Sequence, residues 1–431
     1  MGWIFLVVGV LGVLHALNAL APRRSPVLLG PSFFASWLTI ELVWHHIVIG
    51  VVWTIGFVAA GALDTGPGVV ALVLMALTEA ILLSIAWTTR KTVVSVRGAL
   101  ADLDPDGARD DAEELDPGPQ APRFPRHLVA LPFLLNRRRG VTRRRNIPFA
   151  RVGGKTLRLD VTIPSAPAPG GGLRPALVQI HGGGWVIGDK REQGIPLLNH
   201  MAAQGWVGFN VNYRLSPFVG FPDHVVDIKR GIAWIREHAA DFGVDPDFLC
   251  ITGGSAGGHL SSLAALSAGE AHLQPGFEDA DTSVAAAVPF YGIYDFTPDG
   301  AFGHDPRIFS RFLEPWVMKA FVDEEPEKFR DASPIHHITP DAPPFFVIHG
   351  DRDTLAPVQD AQAFVERLRE VSNEPVLYAE MQGAQHAFEI FPSVRAAKVV
   401  EGVERFLTTV WERRHQSTAR VEGELAEALT E

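Results

Sequence analysis

Residues 248–266 constrain this chain more tightly than any other stretch. An apolar run, residues 248–252, leads into Gly253-Gly254-Ser255-Ala256-Gly257, and a helical pattern follows from His259 to Leu266. Strand, G-x-S-x-G, helix is a turn so tight that small residues must flank the serine. The hydroxyl then stands exposed at the strand end, beside a helix N-terminus that favours developing negative charge. The alternative is a glycine-rich turn with an incidental serine, and the rest of the chain decides between them.

A serine nucleophile needs a base, and the base needs an acid to orient it. In this kind of sheet the order is serine, acid, histidine. After an expected strand at 344–349 comes Gly350-Asp351-Arg352-Asp353-Thr354-Leu355, and after one at 376–380 comes Gly383-Ala384-Gln385-His386-Ala387-Phe388. Asp353 and His386 thus fall on loops at successive strand ends in the required order, with Asp351 as the competing acid. A further strand, 176–181, runs into His181-Gly182-Gly183-Gly184-Trp185. Consecutive glycines have no Cβ to shield their N–H groups, so Gly183 and Gly184 can converge with the Ala256 N–H on one oxyanion. His181 is expected to brace that turn. A nucleotide loop is disfavoured, because neither G-K-[ST] nor G-x-G-x-x-G occurs here.

These motifs sit in a regular alternation. Strands are expected at 146–152, 156–163, 176–181, 207–213, 248–252, 284–291, 344–349 and 376–380. Helices are expected at 194–204, 223–242, 256–268, 358–371 and 393–412. Continuously apolar strands alternating with helices predict a mostly parallel α/β sheet covered on both faces, with ligands beyond the carboxyl ends of the strands.

The ordered set resembles the alpha/beta-hydrolase fold in its hormone-sensitive lipase-like esterase family. It comprises His181-Gly182-Gly183-Gly184-Trp185, Asn212-Tyr213-Arg214-Leu215-Ser216-Pro217, Gly253-Gly254-Ser255-Ala256-Gly257-Gly258, Asp353-Thr354-Leu355 and Gln385-His386-Ala387-Phe388. The resemblance spans about 146–411. It implies Ser255 as nucleophile, Asp353 as acid and His386 as base, with Gly183, Gly184 and Ala256 as oxyanion donors and His181, Gly182, Gly253 and Gly257 in support. It also implies a carboxylic ester, lipid-like in its acyl part, as substrate, with no cofactor or metal. An amide substrate, acyl transfer to an alcohol, or a non-catalytic lipid-binding scaffold are the alternatives. Residues 294–337 are expected as a lid, apolar through Phe302, Phe309, Phe312, Leu313, Trp316 and Phe321.

The N-terminal region departs from that pattern and resembles membrane-anchored lipase/esterase-like proteins. Hydrophobic residues make up 47% of the chain and mean hydropathy is +0.12, high for a soluble protein. Apolar runs predict spans at about 3–21, 38–60 and 69–87 within a transmembrane region of 1–92. The first is read as a retained span and not a signal peptide, since Lys and Arg are missing before it and no A-x-A site follows. Arg23 and Arg24 after span one, and Arg90, Lys91 and Arg97 after span three, place the N-terminus outside and the catalytic half on the cytoplasmic side of the cell membrane. Glu41, His45, His46 and Glu79 fall inside the spans, where ionisable groups are costly and often functional; Glu41 and His45 are expected to share a helix face. Residues 93–145 are expected as a linker, acidic and disordered over 102–122, then basic at Arg137–Arg139 and Arg143–Arg145 and so suited to an anionic leaflet. The catalytic domain is expected over 146–413 and a disordered tail over 414–431. A net charge of −11 argues against a nucleic-acid partner. The lone cysteine, Cys250, excludes an intrachain disulfide and is expected as a buried core thiol. His336-His337 is the one weak candidate for metal ligation, and the oligomeric state is not legible.

Overall fold

The computed structural model describes residues 1–23, 28–103, 124–132, 138–303 and 309–428. The half of the chain from Val141 onward is built on an eight-stranded sheet: β1 (Val141–Val152), β2 (Lys155–Pro164), β3 (Arg174–Ile180), β4 (Val207–Val211), β5 (Val244–Gly254), β6 (Ala286–Phe290), β7 (Phe345–Gly350) and β8 (Val376–Met381). The strand order is β1-β2-β4-β3-β5-β6-β7-β8. The first two pairings are antiparallel and the others parallel. All eight expected strands are present. β1 begins earlier than expected, so Arg143, Arg144 and Arg145 belong to a hairpin with β2 and not to a juxtamembrane linker.

The side-chain period of two divides the core cleanly. Ala176, Val178 and Ile180 of β3, with Leu249 and Ile251 of β5, pack on one face of the sheet. Leu177, Phe248 and Cys250 pack on the other. A strand buried on both faces is mostly apolar, which is why β3 carries the run Ala176-Leu177-Val178. Between β6 and β7 lie the described parts of the expected lid, including a π-helical segment, Phe309–Met318, interrupted by Pro315. Phe302, Phe309 and Leu313 are buried in the main core, whereas Trp316 and Phe321 remain exposed.

The N-terminal region is built from α1 (Gly2–Leu20), α2 (Leu29–Glu41), α3 (Val43–Ala59) and α4 (Gly66–Ala101). α1 and α4 are long and apolar enough to cross a membrane. They pack closely because small residues face each other: a Cβ on Gly9 would lie 3.2 Å from the Ala71 carbonyl oxygen. The expected second span is not one straight helix. α2 and α3 meet at Leu42 with a bend of 87°. The cause is α2, whose buried face lies on the catalytic half. There Glu41 accepts from Arg395 Nε at 3.1 Å and from Ser393 Oγ at 2.8 Å, fully inside the protein.

α4 also outruns the expected third span. Thr89, Thr92, Val96, Ala99 and Leu100 continue its buried stripe past Arg90 and Lys91, and Val96 seats against Gly402. Gly402 belongs to the last helix, Val394–Ala428, which continues through the stretch expected as a frayed tail. The structure therefore has helix at 93–101 where the linker was expected to begin. Most of the acidic stretch, Arg137 and Arg24 lie outside the described residues.

Removing one partner of a buried ion pair costs about 3–5 kcal/mol, because the other charge is left unpaired. Arg395→Met should therefore lower the thermal midpoint of the full chain in detergent markedly; an unchanged midpoint would contradict this packing.

Candidate active site

β5 delivers Ser255 at its carboxyl end, and the helix Ala256–Leu266 carries the chain away. Between them Ser255 has φ 58° and ψ −122°, a strained conformation for a residue with a side chain. The flanking glycines are required by contact. A Cβ on Gly253 would lie 2.4 Å from the Gly257 carbonyl oxygen, and one on Gly257 would lie 2.2 Å from that of Ile180. The Ser255 N–H donates to the Phe290 carbonyl at 3.0 Å, fixing the turn to the end of β6.

The glycine turn after β3 packs onto this serine. A Cβ on Gly182 would lie 3.1 Å from the Ser255 Cβ. Gly182 N–H is already engaged by Gln193 Oε1 at 2.7 Å. Gly183 and Gly184 have φ of +120° and +57°, and a Cβ on Gly183 would lie 2.1 Å from the Ile187 carbonyl oxygen. Ala256 opens its helix, so its N–H has no partner within the helix. His181 lies against the turn: its Nδ1 meets the Gly182 carbonyl at 2.9 Å, and its ring stacks on Tyr213 at 4.5 Å. Burial pushes its pKa down to about 4, so it stays neutral.

Asp353 and His386 meet directly, with Nδ1 donating to Asp353 Oδ2 at 2.6 Å. The other carboxylate oxygen accepts the N–H groups of Leu355 and Ala356, each at 2.8 Å. His349 Nε2 adds a fourth contact at 3.3 Å. Burial acts to raise the Asp353 carboxyl, but the charge of His386 and the hydrogen bonds from His349 and His386 outweigh it and hold the group well below the usual carboxylate range. Asp351 does something else: it accepts the Gly383 N–H at 2.7 Å and shapes the histidine loop. Gln385 ties acid and base together, since its Oε1 accepts from Thr354 N at 2.8 Å and from His386 N at 2.9 Å.

Tyr291 was not singled out from sequence, yet it lies between the serine turn and the histidine. Its ring centroid is 4.4 Å from that of His386, and a Cβ on Gly254 would lie 2.6 Å from its hydroxyl oxygen. That hydroxyl donates to Glu389 Oε2. Burial pushes Glu389 up to about 7.

The largest omission is α2. Trp37 Nε1 donates to the Ala387 carbonyl at 2.9 Å, Gln385 Nε2 donates to Ser36 Oγ at 3.1 Å, and the Phe33 ring stands edge-on to His386 at 6.3 Å. Arg395 also donates to the Gln382 carbonyl at 2.9 Å. An apolar stretch read only for membrane crossing hid these contacts. Of the polar residues flagged in the spans, Glu41 and His45 sit on either side of the bend, and His45 Nε2 meets the Ala130 carbonyl at 3.0 Å. His46 and Glu79 line a separate cavity of about 290 Å³ with His15. Among the described residues, Glu270, Asp331 and His337 come close enough to hold a metal. Both His337 nitrogens are already bonded, to Glu270 at 2.8 Å and to the Asp331 carbonyl at 2.9 Å.

Residues 159–368 match the BD-FAE family model. The strand order and these matches give this half of the chain the alpha/beta-hydrolase fold. Among curated relatives, the probable carboxylic ester hydrolase LipM of Mycobacterium tuberculosis is 51% identical over 57% of this chain and 56% of its own. Esterase LipQ of the same organism is 45% identical over 64% of this chain and 65% of its own. Less than two thirds of each relative is thus spanned. Among solved structures, native Est2, a thermophilic esterase of Thermogutta terrifontis, superposes with a TM-score of 0.54 at 25% identity, covering 63% of this chain and 93% of that one. The same esterase phosphonylated by sarin gives 0.55 at 26% identity, over 63% and 95%.

A carboxyl raised from about 4.5 to about 7 is protonated in the fold where the unfolded chain is ionised. Glu389 should thus weaken the fold progressively as pH rises from about 4.5 through 7. Glu389→Gln should gain thermal midpoint over wild type between pH 5 and pH 8, by up to about 3 kcal/mol. A difference independent of pH would contradict the buried, protonated state.

Proposed function

We propose that this protein is a membrane-anchored serine carboxylic-ester hydrolase acting on esters with an apolar, lipid-like acyl part. The observation that carries the reading is the Asp353–His386 hydrogen bond of 2.6 Å, beside a Ser255 held at positive φ against the glycine turn. His386 takes the Ser255 proton through Nε2 as the hydroxyl oxygen attacks the ester carbonyl. Nδ1 meanwhile keeps its proton on Asp353, which stabilises the imidazolium. The N–H groups of Gly183, Gly184 and Ala256 receive the oxyanion. The imidazolium then protonates the leaving alcohol, and water, deprotonated by the same histidine, releases the acid from Ser255.

The identities to LipM and LipQ support the ester class. α1, α4 and the bent α2–α3 pair support the anchor, and the Arg90–Lys91 charges on α4 support a cytoplasmic catalytic half. A catalytic domain beginning near Val141 and docked on these helices completes the proposal.

The full chain should stay with membranes after an alkaline wash, be open to protease in inside-out vesicles, and turn over p-nitrophenyl butyrate. Asp353→Asn should lower kcat by about 10⁴, the size of effect seen when a triad loses its orienting carboxylate. Ser255→Ala should reduce turnover to background. A Ser255→Ala rate equal to wild type would remove the proposal.

A further inference from the structure

A cavity of about 700 Å³ opens where the membrane helices meet the catalytic half. This is within the ~300–1,000 Å³ range of small-molecule sites. One wall is the start of α3, with Val43, Trp44, Val48 and Ile49; the opposite wall is the short juxtamembrane helix Arg126–Ala130 and the N-terminal turn of the last helix, through Val129 and Ala397. The floor is the buried Glu41–Arg395 pair.

We infer that this cavity is a binding site for an anionic phospholipid drawn from the surrounding bilayer. Three observations select that occupant. Val48 and Ile49 are 60% and 52% exposed on a helix whose outer face, through Val52 and Ile55, is equally apolar and open, so the wall is continuous with a lipid-facing surface. The charges divide unevenly: Arg395 neutralises Glu41 and Lys398 neutralises Glu401 at 2.8 Å, which leaves Arg126 at the rim with no ion-pair partner among the described residues. That cation suits a phosphodiester above acyl chains. Finally, His45 lines the cavity with its Nε2 on the Ala130 carbonyl, and its buried Nδ1 has no partner among the described residues. A headgroup hydroxyl supplies the missing donor.

The site reaches the active site by two connections. Arg395 forms the cavity floor and also holds the Gln382 carbonyl of the loop that carries His386. α2, which ends at the cavity, holds Ala387 and Gln385 from the other side. An occupant that seats α2 and Arg395 therefore positions the catalytic histidine. This second step rests on the proposed hydrolase reading, whereas binding does not.

The test uses full-length protein in detergent, titrated with phosphatidylglycerol or phosphatidylcholine and followed by native mass spectrometry. Retention of phosphatidylglycerol should exceed that of phosphatidylcholine about tenfold. Arg126→Glu, an exposed change that leaves the core intact, should abolish the preference, and Ala397→Trp should fill the cavity and abolish retention. In wild type alone, phosphatidylglycerol should also raise kcat for a water-soluble short ester severalfold. Equal retention of the two lipids by wild type, or a preference unchanged in Arg126→Glu, would overturn the inference. Loss of the Ser255 reading would leave the binding results intact.

Discussion

The Asp353–His386 hydrogen bond is the contact on which the proposed chemistry depends. One buried carboxylate receives four donors: two backbone N–H groups on one oxygen, and His386 and His349 on the other. A carboxylate so fully satisfied is held ionised despite burial, and its direction is fixed. It fixes in turn which nitrogen of His386 bears the proton and where the other points. Gln385 makes the arrangement cooperative by bonding both loops at once. The strain at Ser255 is supported in the same manner, by the Phe290 carbonyl below and the glycine turn beside it.

The N-terminal helices are part of this site. α2 contributes Ser36, Trp37 and Phe33 to the surroundings of the base, and Glu41 locks α2 to the helix that supports the histidine loop. Arg352, next to the acid, reaches back to the Ala19 carbonyl at the end of α1 at 3.3 Å. Both catalytic loops therefore touch apolar helices. The chain bends by 87° at Leu42, where α2 lies along the sheet-bearing half and the apolar, exposed α3 turns away from it.

The centre of the sheet was legible because its strands carry apolar runs that end in glycine-rich loops, as at Ala176–Ile180 before Gly182 and at Phe248–Gly254 before Ser255. Asp353 was preferred over Asp351 only through the family resemblance, and the structure engages Asp351 with the Gly383 N–H instead. Tyr291, Glu389 and His349 were not legible, because a single aromatic or acid at a strand end carries no spacing signal. α2 was not legible for a physical reason. Phe33, Ser36 and Trp37 precede the expected span at 38–60, and their partners lie some 350 residues away in the chain. Glu41 was the visible anomaly, and its partner Arg395 lies 354 residues away. β1 was placed late because Arg143–Arg145 resemble a solvated basic run, whereas an edge strand tolerates such residues on its open side.

The most direct measurement of the central claim is peptide mapping by mass spectrometry after treating the full chain with a fluorophosphonate. One phosphonyl group should be found on Ser255 in wild type, and His386→Ala should be left unmodified while still folded by thermal unfolding. An adduct on any other residue, or undiminished labelling of Ser255 in His386→Ala, would contradict the account.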